Sequence, residues 1–286
     1  MKLQIISPLR MQWEAAYKAI MPDAIWSDKA SEGFDTYLHM WCDEDTVKSV
    51  RDIDARHIVF IRRYEWYAGH WAKINWDRVD KVIFVNDYLA DQFRKATGVE
   101  PVVIYNGIDP AKWTYKERSH GYNIAWVGFI NQKKNLPLAL QILSELPDVY
   151  TLHVAGEIQD LQVYDYLCNL APSIKRRVIL HGKIPHEKMD WWLEDKNYLL
   201  STAISEGCPN NVIEAMAKGI KPIVHNWPGS GSQFHEFQFD TVRRACEDIA
   251  DRGDAQSYNS SLYRQTVIDK FGMDNYNKVK EIVCGQ

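Results

Sequence analysis

The stretch SEGCPNNVIEAMAKG, residues 205–219, sets two glutamates, Glu206 and Glu214, eight positions apart around a turn. The preceding YLLSTA has the pattern of a buried strand, and Gly207 with Pro209 indicates a sharp turn at its carboxyl end. Apolar residues then recur at helical spacing. This pattern predicts a strand, a turn and a helix, with Glu206 at the strand end and Glu214 about one turn into the helix.

The start of this helix has the chemistry of an anion site, because its first backbone N–H groups have no intrahelical partner and the helix dipole is positive there. Asn210 or Asn211 is predicted to cap it. A ligand with a phosphate between two hydroxyl-bearing rings would use the amides and both carboxylates, and a nucleotide sugar has this layout. Alternatively, Glu214 only complements the helix dipole and Glu206 is a solvated loop charge.

The rest of the chain alternates short β-branched runs with longer amphipathic stretches, which predicts an α/β fold with parallel sheets. The alternation breaks at NGIDPAKWTYKERSHGY. We therefore expect two Rossmann-like domains, residues 1–112 and 113–270, facing each other across a cleft at the carboxyl ends of their strands. A terminal helix over about 271–286 is expected to pack back on the first domain.

Composition limits the class of protein. The chain has 286 residues, 46% of them hydrophobic, and a formal net charge of −4, which gives no reason to expect general nucleic-acid binding. Its apolar runs are far shorter than the roughly 18 residues that span a bilayer, and MKLQIISPLR does not read as a signal peptide. Five scattered cysteines without a CxxC pair indicate neither a zinc site nor a disulfide framework. A cytoplasmic protein is expected.

The segment EGCPNNVIEAMAKGIKPIV resembles the donor-site motif of GT-B glycosyltransferases of family four, usually E-G-F-G-x-x-x-x-E-A-M-A-x-G-x-P-V. The pieces VIYNGID, WVGFINQKKNLPLAL, LHVAGE and VILHGKIPHEKMDWWLED follow the family's order, and the resemblance covers roughly residues 81–229. It implies a GT-B fold and retaining, metal-independent transfer from a nucleotide sugar. No residue selects the nucleotide; a UDP-sugar is the first expectation, and no other cofactor is implied.

The resemblance also assigns roles in the donor site. Glu214 corresponds to the glutamate that holds the ribose hydroxyls, and Glu206 to the one that faces the donor sugar. Lys134 corresponds to the basic residue that contacts the diphosphate, and is implied to be catalytic together with Glu206. The remaining donor-binding residues implied are Gly128 and Lys133, the diphosphate cradle Gly207, Cys208, Asn210, Asn211 and Val212, and Gly182, Lys183 and Ile184 near the base.

Two departures from the family pattern affect the diphosphate site. The arginine that commonly follows the glycine of the first donor-domain loop is Phe129 here, so Lys134, helped by Lys133, must carry more of the leaving-group charge. The usual GFG is GCP, and Pro209 has no N–H to offer a phosphate. The cradle is expected to be reshaped.

On the acceptor side, the glycine-rich first loop and the cleft histidine of the family are both missing, and the first domain is short. Arg62, Arg63 and Glu65 lie where a strand ends, and Glu65 has the chemistry of a base for an acceptor hydroxyl. Arg63 and Glu65 are the candidate catalytic pair, although an ion pair at a strand end explains them equally. His39 is a further acceptor-side candidate, but a lone histidine on an apolar strand is more often a core residue.

Several alternatives remain open. The triplets at Asp43 and Asp52 are D-x-D patterns of the kind that hold a metal in GT-A enzymes, but nothing downstream fits that fold. The acceptor is expected to be a glycan. DNA with hydroxymethylated bases is an alternative, since RRYEWYAGHWAKINW could stack on a base, though an amphipathic helix with its tryptophans inward is the simpler interpretation. A catalytically inactive nucleotide-sugar-binding protein is the third possibility.

Overall fold

Two six-stranded sheets, parallel throughout, organise this protein. The structure is a computed structural model, and it describes residues 2–9, 13–250 and 258–285. Each sheet belongs to its own unit, one formed by Met1–Ile108 with Phe271–Gln286 and the other by Asp109–Lys270. The first unit thus ends four residues before the boundary that the sequence predicts at residue 112.

The first unit has the strand order β2-β1-β3-β4-β5-β6, so its order reverses between β1 and β3. Its strands are β1 (Leu3–Ile6), β2 (Ile25–Ser27), β3 (Thr36–His39), β4 (Arg56–Ile61), β5 (Lys81–Phe84) and β6 (Val102–Val103). Its helices are α1 (Glu14–Ile20), α2 (Glu44–Asp52), α3 (Arg63–Ala68), α4 (Asp87–Thr97) and the C-terminal α13 (Asp274–Cys284). Asp43 and Asn86 cap α2 and α4 by accepting backbone N–H bonds.

The aromatic segment after β4 is not the single amphipathic helix that the sequence predicts. Gly69 adopts a left-handed conformation, with φ of 78°, and ends α3. Two short 3-10 turns, His70–Lys73 and Trp76–Arg78, follow. The tryptophans do pack inward, since Trp66 and Trp71 stack with ring centroids 4.5 Å apart against the apolar core. The segment therefore packs its tryptophans on the core from α3 and the two 3-10 turns.

The second unit has the strand order β12-β11-β10-β7-β8-β9, which is the Rossmann order with its reversal between β7 and β10. Its strands are β7 (Asn123–Val127), β8 (Thr151–Ala155), β9 (Val178–Gly182), β10 (Tyr198–Ser201), β11 (Lys221–His225) and β12 (Gln238–Phe239). Its helices are α5 (Leu136–Glu145), α6 (Leu161–Cys168), α7 (Pro172–Lys175), α8 (Met189–Trp192), α9 (Asn210–Ala217), α10 (Ser230–Phe234), α11 (Val242–Ala250) and α12 (Ser260–Phe271). No helix in the described ranges is long and apolar enough to cross a membrane.

The C-terminal helix α13 packs on the first unit. Tyr276 sits edge-on to Tyr17 with ring centroids 4.9 Å apart, and its hydroxyl donates to the carbonyl of Gly107 at 2.6 Å. The Arg56 guanidinium, on β4, donates to the carbonyls of Ile282 and Val283 at 2.6 and 2.5 Å. A cation at these terminal carbonyls satisfies groups that the helix leaves unpaired and complements its dipole.

Replacing Arg56 with methionine should destabilise the first unit by about 1–2 kcal/mol, because two charge-assisted bonds to helix carbonyls are lost while the alkyl stem is kept. Urea unfolding with hydrogen exchange of α13 measures the effect. The matched control is Arg51→Met, since Arg51 is exposed and pairs only with Asp52 among the described residues. Equal protection of α13 in both variants would contradict this anchoring role.

Candidate active site

The carboxyl ends of β7, β8 and β9 approach one another very closely. The Gly128 N–H donates to the carbonyl of Ala155 at 3.0 Å, and the Gly156 N–H to that of Gly182 at 2.8 Å. A Cβ atom on Gly156 would stand 1.8 Å from the Gly128 carbonyl oxygen. Only glycine fits at position 156, because any side chain would collide with the Gly128 carbonyl. The two loops therefore pack backbone to backbone at the sheet edge where ligands bind in such folds.

Two loops meet at the reversal point between β7 and β10. The Ile204 N–H donates to the carbonyl of Lys133 at 3.0 Å. The Thr202 hydroxyl lies 3.0 and 2.9 Å from the carbonyl oxygens of Lys134 and Asn135, and it accepts the buried Trp126 indole N–H at 2.9 Å. These bonds fix the loop after β7 on the loop after β10.

The junction of these loops places Lys134 beside Glu206. The Lys134 ammonium nitrogen lies 2.6 Å from Glu206 Oε1, and the two side chains are 17% and 10% exposed. The lysine stem runs over Gly128, where an added Cβ would lie 3.1 Å from the lysine Cδ. The structure therefore brings together two residues that the sequence placed in one site, and it does so as a mostly buried ion pair.

Helix α9 starts directly after the turn, but without the predicted side-chain cap. Asn210 is its first residue, and the N-cap position is Pro209, which makes no side-chain cap hydrogen bond. The Asn211 amide instead donates to the carbonyl of Val127 at 2.7 Å, and so ties α9 to the end of β7. The predicted asparagine cap is wrong because Asn211 is committed to this bond and Asn210 already lies inside the helix.

Parts of the predicted phosphate cradle are already engaged. The Val212 N–H donates to the carbonyl of Pro209 at 3.2 Å, and the Gln233 amide donates to the carbonyl of Gly207 at 2.8 Å. Cys208 is buried in the same turn. The turn is therefore held from α10 as well as from α9, and the positive end of the α9 dipole lies next to it.

Glu214 lies in α9, as predicted, and its side chain is only 7% exposed. The His186 ring, in the turn after β9, lies with Nε2 2.9 Å from Glu214 Oε1. The hydrogen bond to Glu214 raises the pKa of His186 above 6.5, against the opposing effect of burial. Glu206, only 10% exposed, does not fit the alternative of a solvated loop charge.

His186 was missed by the sequence reasoning. The sequence could have indicated it, because this histidine directly follows the segment GKIP, residues 182–185, in a polar stretch. Among the other residues of that segment, Gly182 ends β9, and Lys183 pairs with Glu157 at 3.3 Å with both side chains largely exposed. Ile184 follows in the same turn. Phe129, which replaces the family arginine, is 46% exposed.

On the first unit, Arg62 is enclosed by aromatic rings. Its guanidinium lies over the rings of Trp13, Trp41 and Phe60, with centroids 5.2, 5.4 and 4.7 Å away, and it donates to the carbonyl of Met40. Burial lowers the pKa of Arg62, although Glu65 nearby opposes this. Arg62 is therefore buried among aromatic rings and bonded to the residue that follows β3.

Glu65 lies beside Arg62, in the first turn of α3, and is only 2% exposed. Neither carboxylate oxygen has a hydrogen-bond partner among the described residues, and Arg62 Nη1 is 3.9 Å away. Burial raises the pKa of Glu65, with Arg62 opposing. The neighbouring Arg63 points elsewhere, its guanidinium lying 4.9 Å from the ring centroid of the exposed Tyr67.

His39 is a core residue at the end of β3. Its Nε2 lies 3.0 Å from Nδ1 of His57, whose own Nε2 lies 3.1 Å from the carbonyl of Ile53. Burial, with a smaller contribution from His57, lowers the pKa of His39 to about 3. This environment agrees with the core interpretation that the sequence favoured. The D-x-D residues also have local roles, since Asp43 caps α2 and Asp52 pairs with Arg51.

Comparisons with known proteins agree with this arrangement. The sequence profile of Glycosyl transferases group 1 matches residues 109–252. Among solved structures, HepE from Anabaena in complex with UDP-glucose superimposes with a TM-score of 0.78 at 12% identity, over 100% of both chains. A glycosyltransferase from Rickettsia africae gives 0.74 at 14% identity, over 98% of this chain and 97% of that one.

TarM from S. aureus gives a TM-score of 0.72 at 14% identity, over 88% of this chain but only 55% of the TarM chain. No curated protein matches the sequence. The fold is therefore the two-domain, Rossmann-like GT-B fold. The chain belongs to the group 1 glycosyl transferases.

Glu65→Gln should stabilise the first unit at pH 8 by about 1–2 kcal/mol, because the folded state no longer holds a buried carboxylate whose oxygens lack hydrogen bonds. Since the folded pKa of Glu65 lies above the ordinary 4.5, the cost of ionisation appears as pH rises through that pKa and is absent below about pH 4.5. The gain should vanish in acid. Urea unfolding midpoints at pH 8 and below pH 4.5 measure the change in stability, and Glu32→Gln, at an exposed glutamate, is the control. A loss of stability at pH 8 would refute the prediction.

Proposed function

We propose that this chain is a retaining, metal-independent glycosyltransferase of family four that moves a sugar from a nucleoside diphosphate sugar, UDP favoured, to a hydroxyl of a glycan. The observation that carries the proposal is the Lys134–Glu206 ion pair at the Rossmann reversal point, next to the N-terminus of α9. The Lys134 ammonium lies against Glu206 in the turn before α9, the N-terminus of α9 comes next, and the buried Glu214 lies within the helix. A nucleotide sugar offers the same succession of groups.

In the proposed complex, Glu214 accepts hydrogen bonds from the ribose hydroxyls and the diphosphate lies against the start of α9. The diphosphate competes with Glu206 for the Lys134 ammonium. As Lys134 turns to the phosphate, Glu206 becomes available to accept bonds from the hydroxyls of the donor sugar. The ion pair therefore holds both residues in position before the donor binds.

Transfer lengthens the bond between the sugar and the phosphate, so negative charge builds on the diphosphate while positive charge builds on the ring. Lys134 and the dipole of α9 stabilise the developing anion, which is the largest kind of contribution in such catalysis. These groups supply the positive charge that a metal would otherwise bring. Retention of configuration, by attack from the face of the leaving group, is expected from the family resemblance.

A glycan acceptor is favoured by two considerations. HepE has been solved with UDP and glucose, and TarM with fondaparinux, alpha-GlcNAc-glycerol and UDP. On this chain, Tyr64 and Tyr67 are 70% and 60% exposed beside Arg63, and exposed aromatic rings stack on sugars. Glu65 would act as the base, since an acceptor hydroxyl would supply the partner that its oxygens lack.

The acceptor and the activity are tested together by mass spectrometry with a panel of nucleotide sugars against glycan, peptide and hydroxymethylated-DNA acceptors. We expect transfer from a UDP-sugar to a glycan, with retained configuration by NMR and with undiminished rate in EDTA. Transfer to DNA alone would replace the glycan proposal. Binding of the donor with neither transfer nor slow hydrolysis would contradict the proposal that the chain is catalytically active.

The two glutamates should respond differently to substitution. Glu214→Ala should weaken UDP binding about 10- to 100-fold, because bonds from hydroxyls to a buried carboxylate are lost. Glu206→Ala should leave UDP affinity nearly unchanged and lower kcat by about 100-fold. Calorimetry and steady-state kinetics measure both effects, with exposed Glu247→Ala on α11 as control. Wild-type affinity and rate in both variants would place the donor site elsewhere.

A further inference from the structure

His186 and Glu214 come from different parts of the second unit. His186 starts the 3-10 turn that follows β9, whereas Glu214 lies in the second turn of α9. Their contact, 2.9 Å from the imidazole Nε2 to Oε1, occupies one carboxylate oxygen. The described residues make no other hydrogen bond or ion pair to this carboxylate. One oxygen of a nearly buried carboxylate is thus held and the other is left for a ligand.

The imidazole ring is also fixed from its other side. The indole of Trp113, a buried residue, lies edge-on to the His186 ring with centroids 5.7 Å apart. The charged groups that act on His186 are Glu214 on α9 and Glu187, the next residue in its own turn. Both are acidic, and the indole is uncharged. The surroundings of the ring therefore favour an imidazolium, while 41% exposure of its side chain keeps it open to solvent protons.

We propose that His186 is a positioning residue of the nucleotide site, which holds Glu214 toward the ribose and, when protonated, offsets the glutamate charge so that the nucleotide anion binds more tightly. The inference rests on the proposed function, because it requires the nucleotide to lie at Glu214. An unneutralised carboxylate orients ribose hydroxyls well but repels the neighbouring diphosphate. A protonated imidazole beside it preserves the hydrogen bonds and removes much of that repulsion.

The direction of the pH dependence follows from linkage. The pKa of His186 is raised above 6.5 in the free protein, and an anionic ligand raises it further in the complex. Nucleotide affinity is therefore full below the free-protein pKa and falls as pH rises through the pKa of the complex. The decline should begin above pH 6.5, the ordinary value for histidine, and measurements from about pH 6 to about pH 8.5 follow it.

The test measures the dissociation constant of UDP by calorimetry across this pH range for the wild-type chain and for His186→Gln. The glutamine amide can still donate to Glu214 but carries no charge at any pH. Titration of UDP's own terminal phosphate affects both proteins alike and cancels in the ratio of their constants. His235→Gln, at an exposed histidine of the same unit, is the matched control. Thermal midpoints confirm that each variant is folded.

We expect wild-type protein to bind UDP about three- to tenfold more tightly than His186→Gln at pH 6, with the ratio approaching one at pH 8.5. The control should follow the wild-type curve. A ratio that stays constant with pH would overturn the role of His186 while leaving the donor site intact. Failure of the wild-type chain to bind UDP at any pH would instead contradict the proposed function itself.

Discussion

The ion pair between Lys134 and Glu206 depends on one topological fact, the adjacency of β7 and β10 at the point where the strand order reverses. Parallel strands that neighbour each other end at the same edge, so the loops that follow them must share the space above it. Thr202 and the Ile204–Lys133 backbone bond join these loops into one surface. A charged pair can be held there because hydrogen-bonded backbone on both sides fixes its geometry.

Three glutamates of this chain, two in the second unit and one in the first, are buried, and burial of a carboxylate is costly in isolation. Glu206 is neutralised by Lys134, and Glu214 has one oxygen on His186. On the first unit, Glu65 has Arg62 at 3.9 Å, but its oxygens accept no hydrogen bond among the described residues. Buried charge of this kind is retained in proteins mainly where chemistry requires it, because an apolar residue would give a more stable fold. The three buried glutamates are thus the residues that we propose to contact the donor or the acceptor.

Much of the fold could be predicted, since buried parallel strands are continuous β-branched runs that stand out from amphipathic helices. The strand predicted at YLLSTA forms as β10, and both sheets are parallel, as the alternation of strands and helices predicts. Among site residues, Glu206 and Lys134 were predictable from motif and spacing. The absence of an asparagine cap and the His186 contact were not, because both depend on which distant element packs against α9.

A crystal structure with a bound UDP-sugar would show whether the surface from Lys134 to Glu214 binds the nucleotide diphosphate. We expect ribose hydroxyls about 3 Å from Glu214, the diphosphate at the start of α9, and the Lys134 ammonium moved from Glu206 to a phosphate oxygen. A nucleotide bound away from α9, with the Lys134–Glu206 pair intact, would show that the donor site lies elsewhere.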